Sequence, residues 1–363
     1  MPTVVDMDER EAMNHALDLA WRGWGRVHPN PLVGAVVLAG GVVAGEGWHA
    51  EFGDRHAEPM ALDQAGEKAR GATLVATLEP CNHRGKQPPC TDAIVRAGVR
   101  RVVVALADPN PVARGGAARL ESLGLEVEVG VGREAATAQN AIFLHRIRNQ
   151  SRPFVALKLA TSLDGRIADS SGHSRWLSGE PARDYVHWLR AGFDAIGVGG
   201  RTVRQDDPRL TVRGPVTPRV PPRRVIFDAG ADIDPGVTLA RTAGEVPTTI
   251  VTAADAPSER VDRLAAAGVS VIRAGALEEG LRMLRAEGVS SLLVEGGGRL
   301  AGALLGHGLV DRYYWVQSPL WLGDRGVPAT AGLPSDPIAR AERWTVVERR
   351  GLGEDTLLVL DRR

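Results

Sequence analysis

The spacing of apolar residues changes period several times along this chain, and each change marks an element. Residues 8–22 set Ala12, Met13, Ala16, Leu17 and Ala20 at helical intervals, which predicts an amphipathic helix that H-P-N-P at 28–31 cuts off. Leu32 to Leu38 and Val42 to Glu46 are apolar runs on either side of Ala39-Gly40-Gly41, the signature of a hairpin with a glycine turn. A helix is expected from His56 to Ala65, with His56 and Glu58 on its first turn. A buried strand is expected over 72–79, ending at Pro80-Cys81, and a second helix over 89–98. Val102 to Leu106 and 125–131 read as strands, and 133–150 as one increasingly basic helix. The order β-β-α-β-α-β-α-β implies a mixed sheet layered by helices.

The pattern changes after Ser151-Arg152-Pro153, so the domain boundary is placed there, giving domains 1–149 and 150–363. A chain of 363 residues is long for one core and long enough for two. The second part opens with the strand P-F-V-A-L-K-L-A and a turn. A helix follows at 180–192, strands at 195–200, 223–228, 248–253 and 290–295, and helices at 258–267 and 277–286. This alternation predicts a largely parallel α/β sheet. Residues 207–224, rich in Pro and Arg, read as a surface loop. Tyr313 to Pro319 and Thr356 to Asp361 have no helical pattern between them and are expected to add an antiparallel edge.

Composition narrows the function classes. Lys plus Arg and Asp plus Glu are 44 each, so no net field draws the chain to nucleic acid or an anionic membrane. No run approaches the roughly 18 apolar residues of a spanning helix, and the acidic start lacks the features of a signal peptide. With two cysteines in all, a reducing cytoplasmic setting is expected.

Both cysteines, Cys81 and Cys90, lie shortly after His56 and Glu58. One imidazole and two thiolates are three ligands of the kind Zn²⁺ takes, leaving a fourth tetrahedral position for water whose pKa falls to roughly 7. Glu58, two residues from His56, suits the proton shuttle that removal of an amino group needs. Cys90 near a helix start has its thiolate favoured. The general nucleobase-deaminase signature has Pro-Cys-x-x-Cys; here eight residues separate the cysteines. A disulfide, inert thiols, or a closed structural site with His83 as fourth ligand are the competing readings. Asn30, between two prolines, has restricted neighbours and a side chain able both to donate and to accept, and fits an Asx turn.

H-P-N-P-x-V-G at 28–34, H-A-E at 56–58 and T-L-E-P-C-x8-C-T-D-A at 77–93 together resemble the bacterial bifunctional riboflavin-biosynthesis deaminase/reductases, whose cysteines have this eight-residue spacing. The resemblance implies a cytidine-deaminase-like fold for the first domain. It also implies zinc on His56, Cys81 and Cys90, catalysis by Glu58, and substrate contacts from Asn30, His49, His83 and Lys86, the last to a ribose phosphate.

In the second half, L-L-V-E-G-G-G-R-L-A-G-A-L-L at 292–305 is a strand, a glycine turn and a helix start, where free backbone N–H groups favour a phosphate. It is not a G-x-G-x-x-G fingerprint, and Glu295 suits a hydroxyl or ring nitrogen better. K-L-A-T-S-L-D-G, D-D-P-x-L-T-V-R and V-E-G-G-x-x-L-A are similar to the reductase domain of the same family, which implies a dihydrofolate-reductase-like fold and NADPH. By that resemblance Ala160, Trp176, Thr202, Asp206, Gly297, Gly298, Arg299, Leu300, Ala301, Gly302 and Ala303 face the cofactor. Ser174, Arg190, Leu210, Arg213 and Glu295 face the substrate, with Arg190 and Arg213 as phosphate ligands. Lys158 and Asp164 are left between a structural and a sugar-positioning role.

The expected protein deaminates a phosphorylated diaminopyrimidine and then reduces its ribosyl group to ribityl, as a homo-oligomer with no nucleic-acid partner. The rivals are a tRNA-adenosine-type deaminase with an appended domain and a zinc-stabilised nucleotide-binding regulator.

Overall fold

A computed structural model describes residues 7–85 and 87–363. It divides into two compact units, one ending at Arg148 and one beginning at Asn149.

In the first unit the elements run α1 (Glu9–Ala20), β1 (Gly34–Ala39), β2 (Val42–Trp48), α2 (Ala57–Ala65), β3 (Thr73–Leu78), α3 (Cys90–Ala97), β4 (Arg101–Leu106), α4 (Gly116–Ser122), β5 (Glu126–Val129), α5 (Arg133–Gln139) and α6 (Ala141–Arg148). Asp8 caps α1 through a reciprocal pair of hydrogen bonds with Glu11, which satisfies two of the helix's orphan donors. The sheet order is β2-β1-β3-β4-β5. β1 is antiparallel to β2 and β3, and β3, β4 and β5 are parallel. Helices α1 and α2 lay Ala12, Met13, Ala16, Ala61 and Leu62 against Val36, Leu74 and Val103 in one continuous core. In V-A-G-E-G-W the glycines serve α2. A Cβ on Gly45 would lie 2.1 Å from the Ala61 carbonyl oxygen and one on Gly47 2.1 Å from that of Ala57. The first turn of α2, which carries Glu58, therefore rests directly on β2.

The single helix expected over 133–150 is two. Asn140 interrupts it because its side-chain amide is committed elsewhere, accepting from the Leu32 N–H at 2.8 Å and donating to the Leu32 carbonyl at 3.0 Å. That exchange pins the segment leading into β1. His56 sits at the N-cap of α2 instead of within its first turn.

The second unit runs β6 (Phe154–Thr161), β7 (Arg166–Ala168), α7 (Glu180–Arg190), β8 (Ala195–Gly199), α8 (Gly200–Asp206), β9 (Arg223–Phe227), α9 (Thr238–Arg241), β10 (Thr248–Ala253), α10 (Ser258–Ala266), β11 (Ser270–Ala274), α11 (Leu277–Ala286), β12 (Ser291–Glu295), α12 (Gly298–Gly306), β13 (Arg312–Gln317), β14 (Val327–Pro328), β15 (Trp344–Leu352) and β16 (Asp355–Arg362). Its nine-stranded sheet has the order β11-β10-β9-β8-β12-β6-β13-β16-β15. All pairs from β11 to β13 are parallel, and β16 and β15 add antiparallel pairings at the edge. Alternation along β9 sends Val225 and Phe227 into one core with Leu281 and Leu300, and Ile226 into another with Leu239 and Leu264. The parallel strands are thus covered on both faces, as an apolar parallel sheet requires. Arg224 is 1% exposed, yet its guanidinium donates to the carbonyls of Leu239, Thr242 and Val246 and to Thr242 Oγ1. It ties β9 to the α9 segment without a carboxylate.

Candidate active sites

The first site lies beyond the C-terminal end of β3, where the starts of α2 and α3 meet it. His56 is the N-cap of α2, Cys90 is the first residue of α3, and Cys81 follows β3 by three residues. His56 Nδ1 lies 3.2 Å from Cys90 Sγ and 3.5 Å from Cys81 Sγ, and the two sulfurs are 3.5 Å apart. A tetrahedral ion with Zn–N and Zn–S distances of about 2.1 and 2.3 Å needs edges of about 3.6–3.8 Å between these atoms. The three donors therefore fit zinc.

Their acidities agree. Cys81 is drawn down by hydrogen bonds from the Cys90 thiol, from His56 and from the Cys90 backbone N–H at 3.4 Å. That neighbour and burial push Cys90 up, since two adjacent thiols cannot both ionise without a cation between them. Both cysteines are buried and free of a disulfide.

Glu58, 3% exposed, is pushed up to about 7, chiefly by burial, with His56 opposing. A dication on the neighbouring ligands would draw it back down. Asn30 Nδ2 lies 3.1 Å from His49 Nε2, and His49 Nδ1 lies 3.0 Å from the Arg55 carbonyl oxygen. A neutral imidazole protonated on Nδ1 satisfies both, and burial lowers the His49 pKa to favour that form. The His49 ring meets His56 edge-on at 5.7 Å. Asn30, His49, His56 and Glu58 are thus brought together. His83 is half-buried, and its Nδ1 has no hydrogen-bond partner among the described residues. Lys86 lies outside the described residues.

Sequence reasoning passed over two buried carboxylates beside this site. Glu79 accepts the backbone N–H groups of Asp108, Gly115 and Ala117. Asp108, two residues past β4, is pushed up to about 6, mainly by burial. The signal available was a charged residue just past each of two apolar strands.

The second site is a cavity of about 1460 Å³ along the C-terminal ends of the parallel strands of the second unit. That exceeds the roughly 300–1000 Å³ of an ordinary small-ligand pocket. Its lining runs from Lys158 and Ala160 on β6 to Ala274 on β11, five strand spacings or about 24 Å, room for an extended dinucleotide and a second ligand. Trp176, Thr202, Asp206, Gly297, Gly298, Arg299, Leu300 and Ala303 join Ala160 on the lining. Ala301 and Gly302 do not. Ala301 is fully buried in the core facing the sheet, and Gly302 packs under the Ala331 carbonyl, because a helix turns successive residues by 100° and only part of α12 can face the cavity. Gly296 and Gly297, with φ of 70° and 84°, lead to the uncapped start of α12, which leaves backbone N–H groups for an anion. The residues present fit a dinucleotide phosphate.

Ser174, Arg190, Leu210, Arg213 and Glu295 line the same cavity. Arg190 is less free than a phosphate ligand should be. Its Nε and Nη2 donate to Glu295 at 2.6 and 2.7 Å, and its Nη1 donates to the Thr211 carbonyl at 2.9 Å. Lys158, on the strand beside Glu295 and in register with it, faces the cavity, whereas Asp164 is half-buried and bound to loop backbone outside it.

Known proteins match each half and the whole. The model of the cytidine and deoxycytidylate deaminase zinc-binding region matches residues 7–106, and that of the RibD C-terminal domain matches 153–358. The riboflavin biosynthesis protein RibD of Aquifex aeolicus is 40% identical, over 98% of this chain and 98% of its own. That of Escherichia coli is 38% identical, over 98% and 99%. Among solved structures, Acinetobacter baumannii RibD superposes with a TM-score of 0.80 at 34% identity, over 98% of this chain and 99% of its own. A Thermotoga maritima protein described as a diaminohydroxyphosphoribosylaminopyrimidine deaminase/5-amino-6-(5-phosphoribosylamino)uracil reductase superposes with a TM-score of 0.81 at 35% identity, with the same coverage. The chain belongs to the RibD family of riboflavin biosynthesis, in which a zinc-binding, cytidine-deaminase-like domain and a dihydrofolate-reductase-like domain that uses NADPH share one polypeptide.

Proposed function

We propose that the first site removes an amino group from the pyrimidine of a phosphoribosylaminopyrimidine, and that the cavity of the second unit then receives the product and reduces its ribosyl group to ribityl. The domain boundary is read at 149/150. The observation that carries the deaminase assignment is the convergence of His56 Nδ1, Cys81 Sγ and Cys90 Sγ within 4.8 Å of one another, with Glu58 two residues from His56 and buried. Zinc held there supplies a water acidified enough to be a nucleophile near neutral pH. Glu58, buried and two residues from His56, would hold a proton and pass it to the departing amino nitrogen. Asn30 and His49 hold the ring, His83 its ring or sugar, and Lys86 the phosphate.

In the second unit NADPH, when bound, supplies the hydride. The glycines at 296–298 receive its phosphates, and Thr202, Asp206 and Trp176 flank it. Glu295 and Ser174 contact the substrate, and Arg213 takes its phosphate; its position on the cavity lining supports this. Arg190 orients Glu295 through the bidentate pair. Lys158 positions the sugar; burial lowers its pKa and Glu295 opposes that shift.

A pyrimidine substrate without nucleic acid fits the equal counts of basic and acidic residues, and the two free cysteines fit a cytoplasmic setting. The outer edge of β15, which pairs only with β16, supports self-association, read by light scattering. Among the described residues no helix is long and apolar enough to cross a membrane.

The test is zinc content beside ammonia release. Glu58→Gln should keep about one zinc per chain and lose ammonia release by about 10²–10⁴-fold, whereas Cys90→Ser should lose both. A Glu58→Gln protein with wild-type turnover ends the assignment.

A further inference from the structure

Asp164 lies in T-S-L-D-G-R, a motif that neither reaction has absorbed, and it does not reach the cavity. Its carboxylate is occupied nonetheless. Oδ1 accepts the Ser162 hydroxyl at 2.6 Å and the Leu322 N–H at 3.1 Å, and Oδ2 accepts the Gly323 N–H at 2.7 Å. These bonds belong to a longer attachment between the turn 162–168 and the segment 318–334. The Leu163 N–H donates to the Leu320 carbonyl and the Ala329 N–H to that of Gly165, while β14 pairs with β7.

The same segment packs on the start of α12. A Cβ on Gly298 would lie 2.2 Å from the Pro328 carbonyl oxygen, and one on Gly302 2.3 Å from that of Ala331. Segment 318–334 is thus a strap, fastened to the turn at one side and laid over the phosphate-binding end of the helix at the other. Between the two fastenings it brings Arg325 to the wall of the cavity that also contains Gly296, Gly297 and Gly298. Arg325 is exposed, and among the described residues it makes no ion pair with any carboxylate.

We infer that Arg325 is a ligand for the phosphates of the dinucleotide and that Asp164 is a positioning residue, holding the strap so that this cation stands opposite the glycine turn. The glycine backbone supplies N–H donors on one side of the anion, and the guanidinium supplies charge-assisted donors on the other. The inference rests on the assignment of the cavity to NADPH.

The experiment titrates NADPH into the full-length, zinc-loaded protein and follows quenching of tryptophan emission at several salt concentrations. Arg325→Met should raise the NADPH Kd about tenfold or more, the usual range for losing a hydrogen bond to a charged group, and should flatten its salt dependence. Asp164→Ala should raise Kd and flatten the salt dependence in the same way, and the double variant should bind no worse than the weaker single one, because an unplaced arginine has nothing left to lose. Wild-type Kd and salt dependence in Arg325→Met overturn the inference. So does an Asp164→Ala protein that melts at lower temperature but keeps wild-type Kd, which would make Asp164 a fastening only. If Gly297→Val leaves NADPH binding intact, the cavity assignment falls and this inference with it. If Gly297→Val abolishes binding while Arg325→Met does not weaken it, the strap alone is refuted.

Discussion

Replacing Glu295 by Gln should cost more than replacing Arg190 by Met, although the two residues form one ion pair. Their side chains are 12% and 13% exposed, and Glu295 meets the guanidinium with both oxygens. Burial works to raise the Glu295 pKa, but Arg190 outweighs it and holds the carboxyl below its ordinary value. Lys158 stands in register on the next strand, half-buried in the same environment. Removing the Glu295 charge therefore strands two cations, whereas removing Arg190 leaves Glu295 with Lys158. Breaking a buried pair from one side costs about 3–5 kcal/mol, so Glu295→Gln should fall in that range and Arg190→Met below it. Equilibrium urea unfolding, followed by tryptophan emission, reads the difference, since Trp176, Trp188, Trp315, Trp321 and Trp344 all lie in the second unit. With a slope of about 2 kcal/mol per molar urea, Glu295→Gln should move the second-unit midpoint by about 1.5–2.5 M. Joint replacement by Met and Leu should recover only the part of the loss that Arg190 causes, since Lys158 is left without its carboxylate. A Glu295→Gln cost under about 1 kcal/mol, or one no larger than that of Arg190→Met, would mean that solvent screens the pair and that Glu295 does not balance two cations.

Three further outcomes are expected. Asp108, raised to about 6 by burial, binds its proton more tightly folded than unfolded, so its contribution is present below about pH 4 and is lost as pH rises through 6. Between pH 5 and 7.5 the stability of wild type relative to Asp108→Asn should fall by about 1 kcal/mol, and a flat difference in urea melts would refute it. Gly47→Val should lift the start of α2 from β2, because its Cβ meets the Ala57 carbonyl at 2.1 Å, and should weaken zinc retention against a chelator while NADPH binding stays intact. Dialysis against a zinc chelator should abolish ammonia release, leave NADPH quenching unchanged, and be reversed by added zinc; loss of both signals would show that the second site depends on the metal.

The metal site was legible because its chemistry is local to a few residue types. His56, Cys81 and Cys90 have few alternatives in a chain with two cysteines. What sequence alone left out depends on long-range partners. Asn140 breaks a helix through a bond to Leu32, 108 residues away. The pairing of Arg190, read as a phosphate ligand, with Glu295 could not be seen because the two are 105 residues apart. β15 went unread because its residues alternate imperfectly and lie mostly exposed at a sheet edge. The roles of Lys158 and Asp164 separate only once the cavity is seen, although a lysine inside the apolar strand F-V-A-L-K-L-A was already a signal. Ala301 and Gly302 were assigned to the cofactor from a continuous motif; Ala301 packs in the core facing the sheet and Gly302 lies under the Ala331 carbonyl, contacts that depend on partners outside the motif.

The central claim is that two reactions are carried by two separate sets of residues in one chain. It is tested most directly by supplying the phosphorylated diaminopyrimidine and recording ammonia release and NADPH oxidation separately, in wild type and in Glu58→Gln. Wild type should give both signals. The variant should give neither with that substrate, yet oxidise NADPH at the wild-type rate when supplied with the deaminated compound. Ammonia release that survives in Glu58→Gln, or a variant unable to reduce the deaminated compound, would contradict the claim.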